Sequence, residues 1–179
     1  IPLDQLRGLL RQIEQEIVSV SGTTGRTARL DRAWFLVMLH CGLRSGEMRR
    51  LKLSDLDLEA RRVRIEQSKG LKDRIVCLSQ EAVSALSAYL AVRRPAAGDH
   101  IFIYRHWPLS CTYCGKRLHS LGGKCSVNIT PHRLRASFAT LLLNAGASVL
   151  TVQALLGHKH VDTTLRYARV YAVSYTHLR

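Results

Sequence analysis

Six residues of the sequence carry side chains suited to breaking a phosphodiester bond without a metal ion. They are two arginines, two histidines, a lysine and a tyrosine: Arg44, Lys69, His132, Arg135, His158 and Tyr167. Guanidinium groups can grip phosphate oxygens in pairs and stabilise the negative charge that a pentacoordinate phosphorus gathers. The set therefore predicts phosphoryl transfer, with the arginines as a clamp on the phosphate.

The local setting of these residues favours their convergence on one site. His132 and Arg135 are three residues apart on a predicted helix, so both side chains project from one face. Arg44 lies within the glycine-marked segment Gly-Leu-Arg-Ser-Gly-Glu, at the entrance to a short helix. His158 comes directly after Gly157, where the backbone can come close to a ligand.

Tyr167 is the candidate nucleophile, and Lys69 is the candidate proton donor. A phenol has a pKa of about 10, so it must lose its proton to a neighbour or to local positive charge as it attacks. The leaving 5′ oxygen then needs a general acid, which a lysine on a hairpin turn can supply. A phosphotyrosyl ester retains the energy of the broken linkage, so a strand can be rejoined without ATP.

From about Ala33 to Tyr171 the sequence resembles the tyrosine recombinases, or phage-type integrases. The segments Gly-Leu-Arg-Ser-Gly-Glu, His-Arg-Leu-Arg-Ala-Ser-Phe-Ala-Thr and Leu-Leu-Gly-His, followed by Thr-Thr-Leu-Arg-Tyr, resemble the family's signature motifs in the right order. Any one of them alone is a weak signal, whereas together they are specific. The resemblance implies site-specific DNA recombination by strand cleavage and rejoining through a covalent 3′-phosphotyrosyl intermediate, with no metal and no cofactor.

The resemblance also implies how the phosphate is held. Arg44 is expected to be the first phosphate-binding arginine, Glu47 its supporting acid and Arg135 the second arginine. Ala136 stands where the family often carries a second histidine, which predicts weaker support of the site without loss of a central member.

The remaining roles concern protons and the attack itself. The resemblance implies that Lys69 protonates the leaving oxygen, that His132 handles protons, and that His158 hydrogen-bonds the scissile phosphate attacked by Tyr167. Lys72 competes with Lys69, but the Lys-Gly pair at the head of the turn favours Lys69.

Two further residues are alternatives that the motifs disfavour. Tyr171 lies one helical turn beyond Tyr167, and the spacing Thr-Thr-x-x-Tyr favours Tyr167. His160 lies outside the Leu-Gly-His segment and is expected to face solvent or DNA.

The elements that must position these residues are predicted to be mainly α-helical, with one small antiparallel β-sheet. Apolar spacing and end signals predict helices at residues 4–18, 28–41, 45–51, 80–93, 112–121, 130–144, 148–156 and 162–171. Residues 62–66 and 74–78 alternate as paired strands around a basic turn, and 101–103 is expected to be a third strand. Residues 19–27 are polar and contain glycine, which predicts a loop, and Ser45 is expected to cap the short helix.

Five cysteines, an odd number, argue against a disulfide framework and are typical of a reducing cytosol. Cys41 and Cys77 lie among apolar residues and are expected in the core. A zinc site is an alternative with four candidate ligands: Cys111, Cys114, His119 and Cys125. Structural zinc sites usually combine two close pairs of ligands, and here only one pair is close, so we predict no metal.

The excess of basic residues predicts a polyanionic partner. Lysine and arginine total 27 against 13 aspartate and glutamate, a formal net charge of +14, which is typical of nucleic-acid binding. The basic residues are spread along the chain, which disfavours a membrane-surface role, and no apolar run approaches the ~20 residues that cross a bilayer. We therefore expect double-stranded DNA as the partner and the bacterial cytoplasm as the location.

The match predicts a catalytic domain over residues 1–171 and a short atypical tail over residues 172–179. The chain begins at Ile1 and lacks the family's N-terminal DNA-binding domain, so we expect part of a longer protein that forms a tetramer on DNA. Two other interpretations stay open: a DNA-binding module without turnover, and a type IB topoisomerase, which relaxes supercoils as a monomer. The Leu-Gly-His segment and the small size favour the recombinase.

Affinity for DNA is predicted to fall steeply with salt, because each phosphate that a basic side chain neutralises releases a counterion. Anisotropy titrations of a labelled duplex at increasing salt concentration measure the slope of log affinity against log salt. A flat dependence would contradict an extended contact with the DNA backbone.

Overall fold

The computed structural model of this chain describes residues 1–19, 22–66, 73–96 and 98–157. The α-helices within these residues are α1 (Leu3–Ser19), α2 (Gly22–Cys41), α3 (Ser45–Arg50), α4 (Gln80–Leu90), α5 (Tyr113–Cys125), α6 (Pro131–Asn144) and α7 (Val149–Leu156). The strands there are β1 (Leu56–Asp57), β2 (Arg62–Ile65), β3 (Arg74–Cys77), β4 (Ile103–Tyr104) and β5 (Trp107–Pro108). The predicted fold class is confirmed: the described chain is mainly helical, with small antiparallel sheets.

Helix α2 is the centre of the hydrophobic core. Residues 33–39 are all buried, and Trp34 and Phe35 are fully enclosed. A helical segment that is apolar all round must be covered on every side, and α1, α4 and α6 pack against α2. The end of α2, which leads to Arg44 and Glu47, is thereby held beside α6, which carries Arg135. Among the described residues, none of the helices combines the length and the apolar character that crossing a bilayer requires.

The predicted loop at residues 19–27 is wrong over most of its length, because α2 already begins at Gly22. Glycine and threonine are poor helix formers, but the cost is below about 1 kcal/mol per residue and packing can outweigh it. Here Gly25 is buried, and its peptide oxygen accepts a hydrogen bond from Arg29 Nη1 at 3.2 Å, inside the helix. Tertiary packing therefore extends the helix into a segment of weak local propensity.

The hairpin of β2 and β3 is confirmed, with Val63 opposite Val76 and Ile65 opposite Arg74. Its predicted turn lies outside the described residues at positions 67–72. The third strand of this sheet is β1, which the sequence reasoning missed. Cys77 was predicted in the core and is exposed, because the alternation of β3 turns Val76 inward and Cys77 outward; Cys41 is buried as predicted.

The predicted strand at 101–103 is wrong in both extent and pairing. Only Ile103 belongs to a strand, and β4 pairs with β5 in a separate two-stranded sheet. The two residues that join them, Arg105 and His106, have φ values of 50° and 77°. Tight hairpin turns of this kind usually contain glycine, asparagine or aspartate, so the sequence holds no signal for this one.

The helix ends mostly follow the predicted signals. Ser79, Thr130 and Ser148 cap α4, α6 and α7, each accepting a hydrogen bond from a backbone N–H of the first turn. Helix α4 ends at Leu90, three residues before the predicted end, and α5 continues four residues further than predicted, to Cys125. The predicted helix at 162–171 lies outside the described residues.

A buried carboxylate joins three of the scaffold helices. Asp31 of α2 is fully buried and accepts hydrogen bonds from Trp34 Nε1 at 2.9 Å, from the Tyr113 hydroxyl at 3.0 Å and from Arg117 Nε. Arg117 of α5 also binds Glu16 of α1. Burial raises the pKa of Asp31 although Arg117 and its hydrogen bonds oppose the shift. This network ties α1, α2 and α5 together away from the candidate site.

Gly42, directly after α2, occupies a position that tolerates no larger residue. Its φ is 61°, in the left-handed region, and a Cβ there would lie 2.3 Å from Phe138 Cδ1 and 2.9 Å from Leu156 Cδ2. The peptide oxygen of Gly42 accepts a hydrogen bond from Arg135 Nη1. The close approach of α2, α6 and α7 at this point therefore depends on glycine.

The substitution Gly42→Ala is expected to lower the free energy of unfolding by roughly 2–4 kcal/mol, from the left-handed conformation and the overlap with Phe138. Gly123→Ala is the matched control: Gly123 lies in α5 with nothing within 4 Å of the added carbon, so it should gain about 0.5–1 kcal/mol. Urea unfolding followed by circular dichroism measures both. Equal stability of Gly42→Ala and wild type would contradict the packing described.

Candidate active site

The candidate site is built around the buried carboxylate of Glu47, in the first turn of α3. Its side chain is 4% exposed. Oε2 accepts the backbone N–H of Arg44 at 2.8 Å, and Oε1 accepts Arg44 Nη1 at 2.9 Å. Arg74 adds a fork of two hydrogen bonds, from Nη1 to Oε1 at 3.0 Å and from Nη2 to Oε2 at 2.9 Å. A side chain predicted to support Arg44 thus also binds an arginine of the β-hairpin.

These contacts determine the charge state of Glu47. Burial by itself would raise the pKa of the Glu47 carboxyl, but the hydrogen bonds from Arg74 and Arg44 and the charges of Arg74 and Arg135 outweigh it. The net effect lowers the pKa from 4.5 to about 2. The carboxylate is therefore ionised at neutral pH, and it remains so because the arginines surround it.

The start of α3 also corrects one prediction. Ser45 is the first helical residue and not the cap; the capping position is held by Arg44, with extended dihedral angles. The N–H of Arg44 is satisfied by the Glu47 carboxylate, as a glutamate in the third helical position commonly does. This places Arg44 outside the helix at its entrance, where its side chain is 45% exposed.

Arg135 of α6 lies close to the same carboxylate. Its Nη1 lies 3.7 Å from Glu47 Oε2 and donates to the peptide oxygen of Gly42, while Nη2 donates to that of Leu156 at 2.7 Å. The side chain is 5% exposed. Arg135 therefore fastens the end of α2 and the end of α7 to α6, and it brings a second predicted arginine to Glu47.

Three arginines around one carboxylate leave an excess of positive charge at one place. The side chain of Arg44 is 45% exposed, whereas those of Arg74 and Arg135 are 10% and 5% exposed, so an anion from solvent would meet Arg44 first. Positive charge is little screened in a water-poor environment. The arrangement is chemically suited to holding a phosphate and stabilising the negative charge that develops on it.

His132 lies one turn before Arg135 on α6, and it is exposed. Helix α6 begins as the sequence predicts: Pro131 is the first helical residue, and Thr130 Oγ1 accepts the Arg133 N–H at 3.2 Å. The structure thus brings Arg44, Glu47 and Arg135 together and places His132 at the exposed start of the same helix.

Lys69, His158 and Tyr167 lie outside the described residues. The structure describes the two strands that flank the segment containing Lys69, and the helix that precedes His158. Strand β2 ends at Ile65 and β3 begins at Arg74, and α7 ends at Leu156, followed by Gly157 in a left-handed conformation with φ of 64°.

Arg74 is the site residue that the sequence reasoning missed. A signal for it existed in the alternation of β3, since Arg74 is two residues before the buried Val76 and so shares its inward face. An arginine on a buried face needs an acid nearby. The motifs drew attention to Lys69 and Lys72 instead, because the turn is more basic than the strand.

The cysteines do not form a cluster. Cys111 is exposed, Cys114 is buried and Cys125 is half-buried beside the peptide oxygen of Gly8. Burial raises the pKa of the Cys114 thiol to about 12, whereas zinc binds thiolates. Within residues 1–19, 22–66, 73–96 and 98–157, no group of three or more histidine, cysteine or acidic side chains is arranged to hold a metal ion.

The comparisons of this chain with known proteins all point to one family. The model of the phage integrase family matches residues 5–173. The tyrosine recombinase XerA of Thermococcus onnurineus is 32% identical over 174 residues, which cover 95% of this chain and 60% of that protein. The chain therefore spans about three fifths of the length of this relative.

Two solved structures share the fold. A crystal structure of XerA recombinase superposes with a TM-score of 0.81 at 28% identity, covering all of this chain and 65% of that one. The XerH site-specific recombinase bound to palindromic difH substrate, a post-cleavage complex, gives a TM-score of 0.79 at 26% identity, covering 95% of this chain and 49% of that one. With the motifs and the family match, these similarities show that the chain belongs to the phage integrase family of tyrosine recombinases, as its catalytic domain.

Proposed function

We propose that this chain cleaves and rejoins double-stranded DNA in site-specific recombination, through a covalent 3′-phosphotyrosyl intermediate. Residues 1–171 are proposed to form the catalytic domain. The observation that carries the proposal is the cluster at Glu47, which gathers Arg44 and Arg135 from two different elements. Their separation in sequence is 91 residues, so their meeting is a property of the fold, and a phosphate is the anion such a pair suits.

In the proposed reaction the two arginines act on the scissile phosphate. Arg44, half exposed at the entrance of α3, binds a non-bridging oxygen, and Arg135 contributes positive charge from its buried position. Both charges are fixed before the substrate arrives, because Glu47 and the peptide oxygens of Gly42 and Leu156 hold the guanidinium groups. Such preorganised charge stabilises the pentacoordinate transition state without reorganisation during the reaction.

The covalent step follows from the family roles. The phenol oxygen of Tyr167 attacks phosphorus and gives up its proton with the assistance of His132, while His158 hydrogen-bonds the phosphate. The bond from phosphorus to the 5′ oxygen breaks, and Lys69 donates a proton to that oxygen. The products are a 3′-phosphotyrosyl ester and a free 5′ hydroxyl. Attack by a 5′ hydroxyl on the ester reverses every step, so no metal, cofactor or ATP enters the balance.

The charge of the chain and the comparisons support DNA as the partner. The net charge of +14 favours a polyanion, and the XerH structures include bound difH substrate. We propose a cytoplasmic protein that acts on DNA as a tetramer in its full-length form.

Covalent capture tests the proposal and does not require the target sequence to be known. The protein is incubated with a pool of short labelled duplexes of randomised sequence, each carrying one nick, so that cleavage near the nick releases a short fragment and traps the adduct. We expect a labelled band that survives denaturing electrophoresis, and sequencing of its DNA returns the preferred target. Tyr167→Phe should form no adduct, because it lacks the attacking oxygen.

Tyr171→Phe is the matched control and should be trapped like the wild type. An adduct that persists in Tyr167→Phe would contradict the assigned nucleophile. Binding of DNA with no adduct in the wild type would favour a module without turnover. Relaxation of supercoiled plasmids that lack the captured target would favour a topoisomerase.

A further inference from the structure

Arg74 is a largely enclosed cation that none of the motifs quoted above contains, and it lies where three parts of the candidate site meet. Its side chain is 10% exposed. Nη1 and Nη2 donate to the two oxygens of Glu47, and Nε donates to the peptide oxygen of Leu155 at 2.8 Å. Each of its three nitrogens donates one N–H to the protein, and the side chain is largely enclosed. Arg74 is therefore poorly placed to bind a phosphate itself.

The contacts of Arg74 complete the hydrogen bonding of the Glu47 carboxylate. A carboxylate offers about four lone-pair directions. The fork from Arg74 takes two of them, and the backbone N–H and Nη1 of Arg44 take the other two. Glu47 can therefore accept the Arg44 guanidinium only in the direction that Arg74 leaves open, so the position of Arg74 sets that of Arg44.

Arg74 also connects the flanks of two further segments. It follows Lys69 by five residues, and Leu155 precedes His158 by three. Arg74 belongs to β3, and its guanidinium binds both α3 and the end of α7. It therefore fixes the start of β3 and the end of α7 relative to the arginines of the site. A lysine would not do so, because its ammonium lacks the planar fork.

We propose that Arg74 is a positioning residue for strand cleavage: it holds Glu47, and through Glu47 the phosphate-binding Arg44, in the arrangement that the reaction needs. This inference rests on the proposed function. Its effect falls on the chemical step, because a small misplacement of a catalytic group slows that step. DNA affinity is spread over many phosphate contacts and depends little on any one of them.

The test compares single-turnover cleavage of the captured duplex by wild type, Arg74→Lys, Arg74→Met and Arg64→Met. Arg64 is the matched control, since it lies on the neighbouring strand β2 and pairs with Asp55 at 3.4 Å but is 58% exposed. Cleavage should slow on the order of 100-fold in Arg74→Met and about tenfold in Arg74→Lys, with DNA affinity within about threefold of wild type. Arg64→Met should cleave at the wild-type rate.

The pH dependence of cleavage separates positioning from a loss of structure. The hydrogen bonds and charge of Arg74 are the main cause that lowers the pKa of Glu47, so their removal raises this pKa. As the solution is acidified, cleavage by Arg74→Met should therefore begin to fall at a higher pH than cleavage by wild type, because protonated Glu47 no longer holds Arg44 as an ion pair.

Each outcome decides the inference. If wild type cleaves and both Arg74 variants match its rate, or lose DNA affinity in proportion to rate, the positioning role is overturned while the proposed function stands. No cleavage by wild type overturns the proposed function and the positioning role with it. If circular dichroism shows that Arg74→Met does not fold, Arg74→Lys keeps the charge and decides the question by its rate.

Discussion

A buried, ionised carboxylate must be surrounded by cations or hydrogen-bond donors, and in this chain that requirement at Glu47 organises the site. A lone charge in the interior is costly, so Glu47 is stable there only with its arginines in place. The arginines that bind Glu47 bring β3 and α6 to α3. Arg135 also binds the ends of α2 and α7. The same contacts that stabilise the carboxylate fix the guanidinium groups before any phosphate arrives.

Another buried carboxylate, that of Asp31, shows that burial alone does not produce this ionised state. Asp31 is more deeply buried than Glu47, and burial raises its pKa because only one arginine opposes the shift, whereas three surround Glu47. Its network joins α1, α2 and α5 into a scaffold. The two acids therefore differ both in depth of burial and in the number of arginines around them.

The sequence predicted the parts of the fold and site that depend on local pattern. The apolar spacing and capping residues of α6 and α7 placed Arg135 and Gly157 correctly, and the glycine-marked segment placed Arg44 and Glu47 together. What it could not predict depends on contacts between distant elements. Arg74 gains its partners only when β3 meets α3, and helix α2 extends over a weak helix-forming segment because other helices cover it. The β4–β5 hairpin turns at two residues that carry no turn signal, so its pairing was hidden as well.

The central claim is that Glu47 is ionised in the folded protein because the arginines hold it so, and its pH linkage measures this directly. Its folded pKa of about 2 lies below the ordinary 4.5, so its contribution to stability is present above the ordinary pKa and is lost as pH falls towards the folded value. Urea unfolding of wild type and Glu47→Gln, compared at about pH 6 and about pH 3, should show the stability advantage of wild type shrinking by about 2 kcal/mol. An advantage that is the same at both pH values would contradict the account.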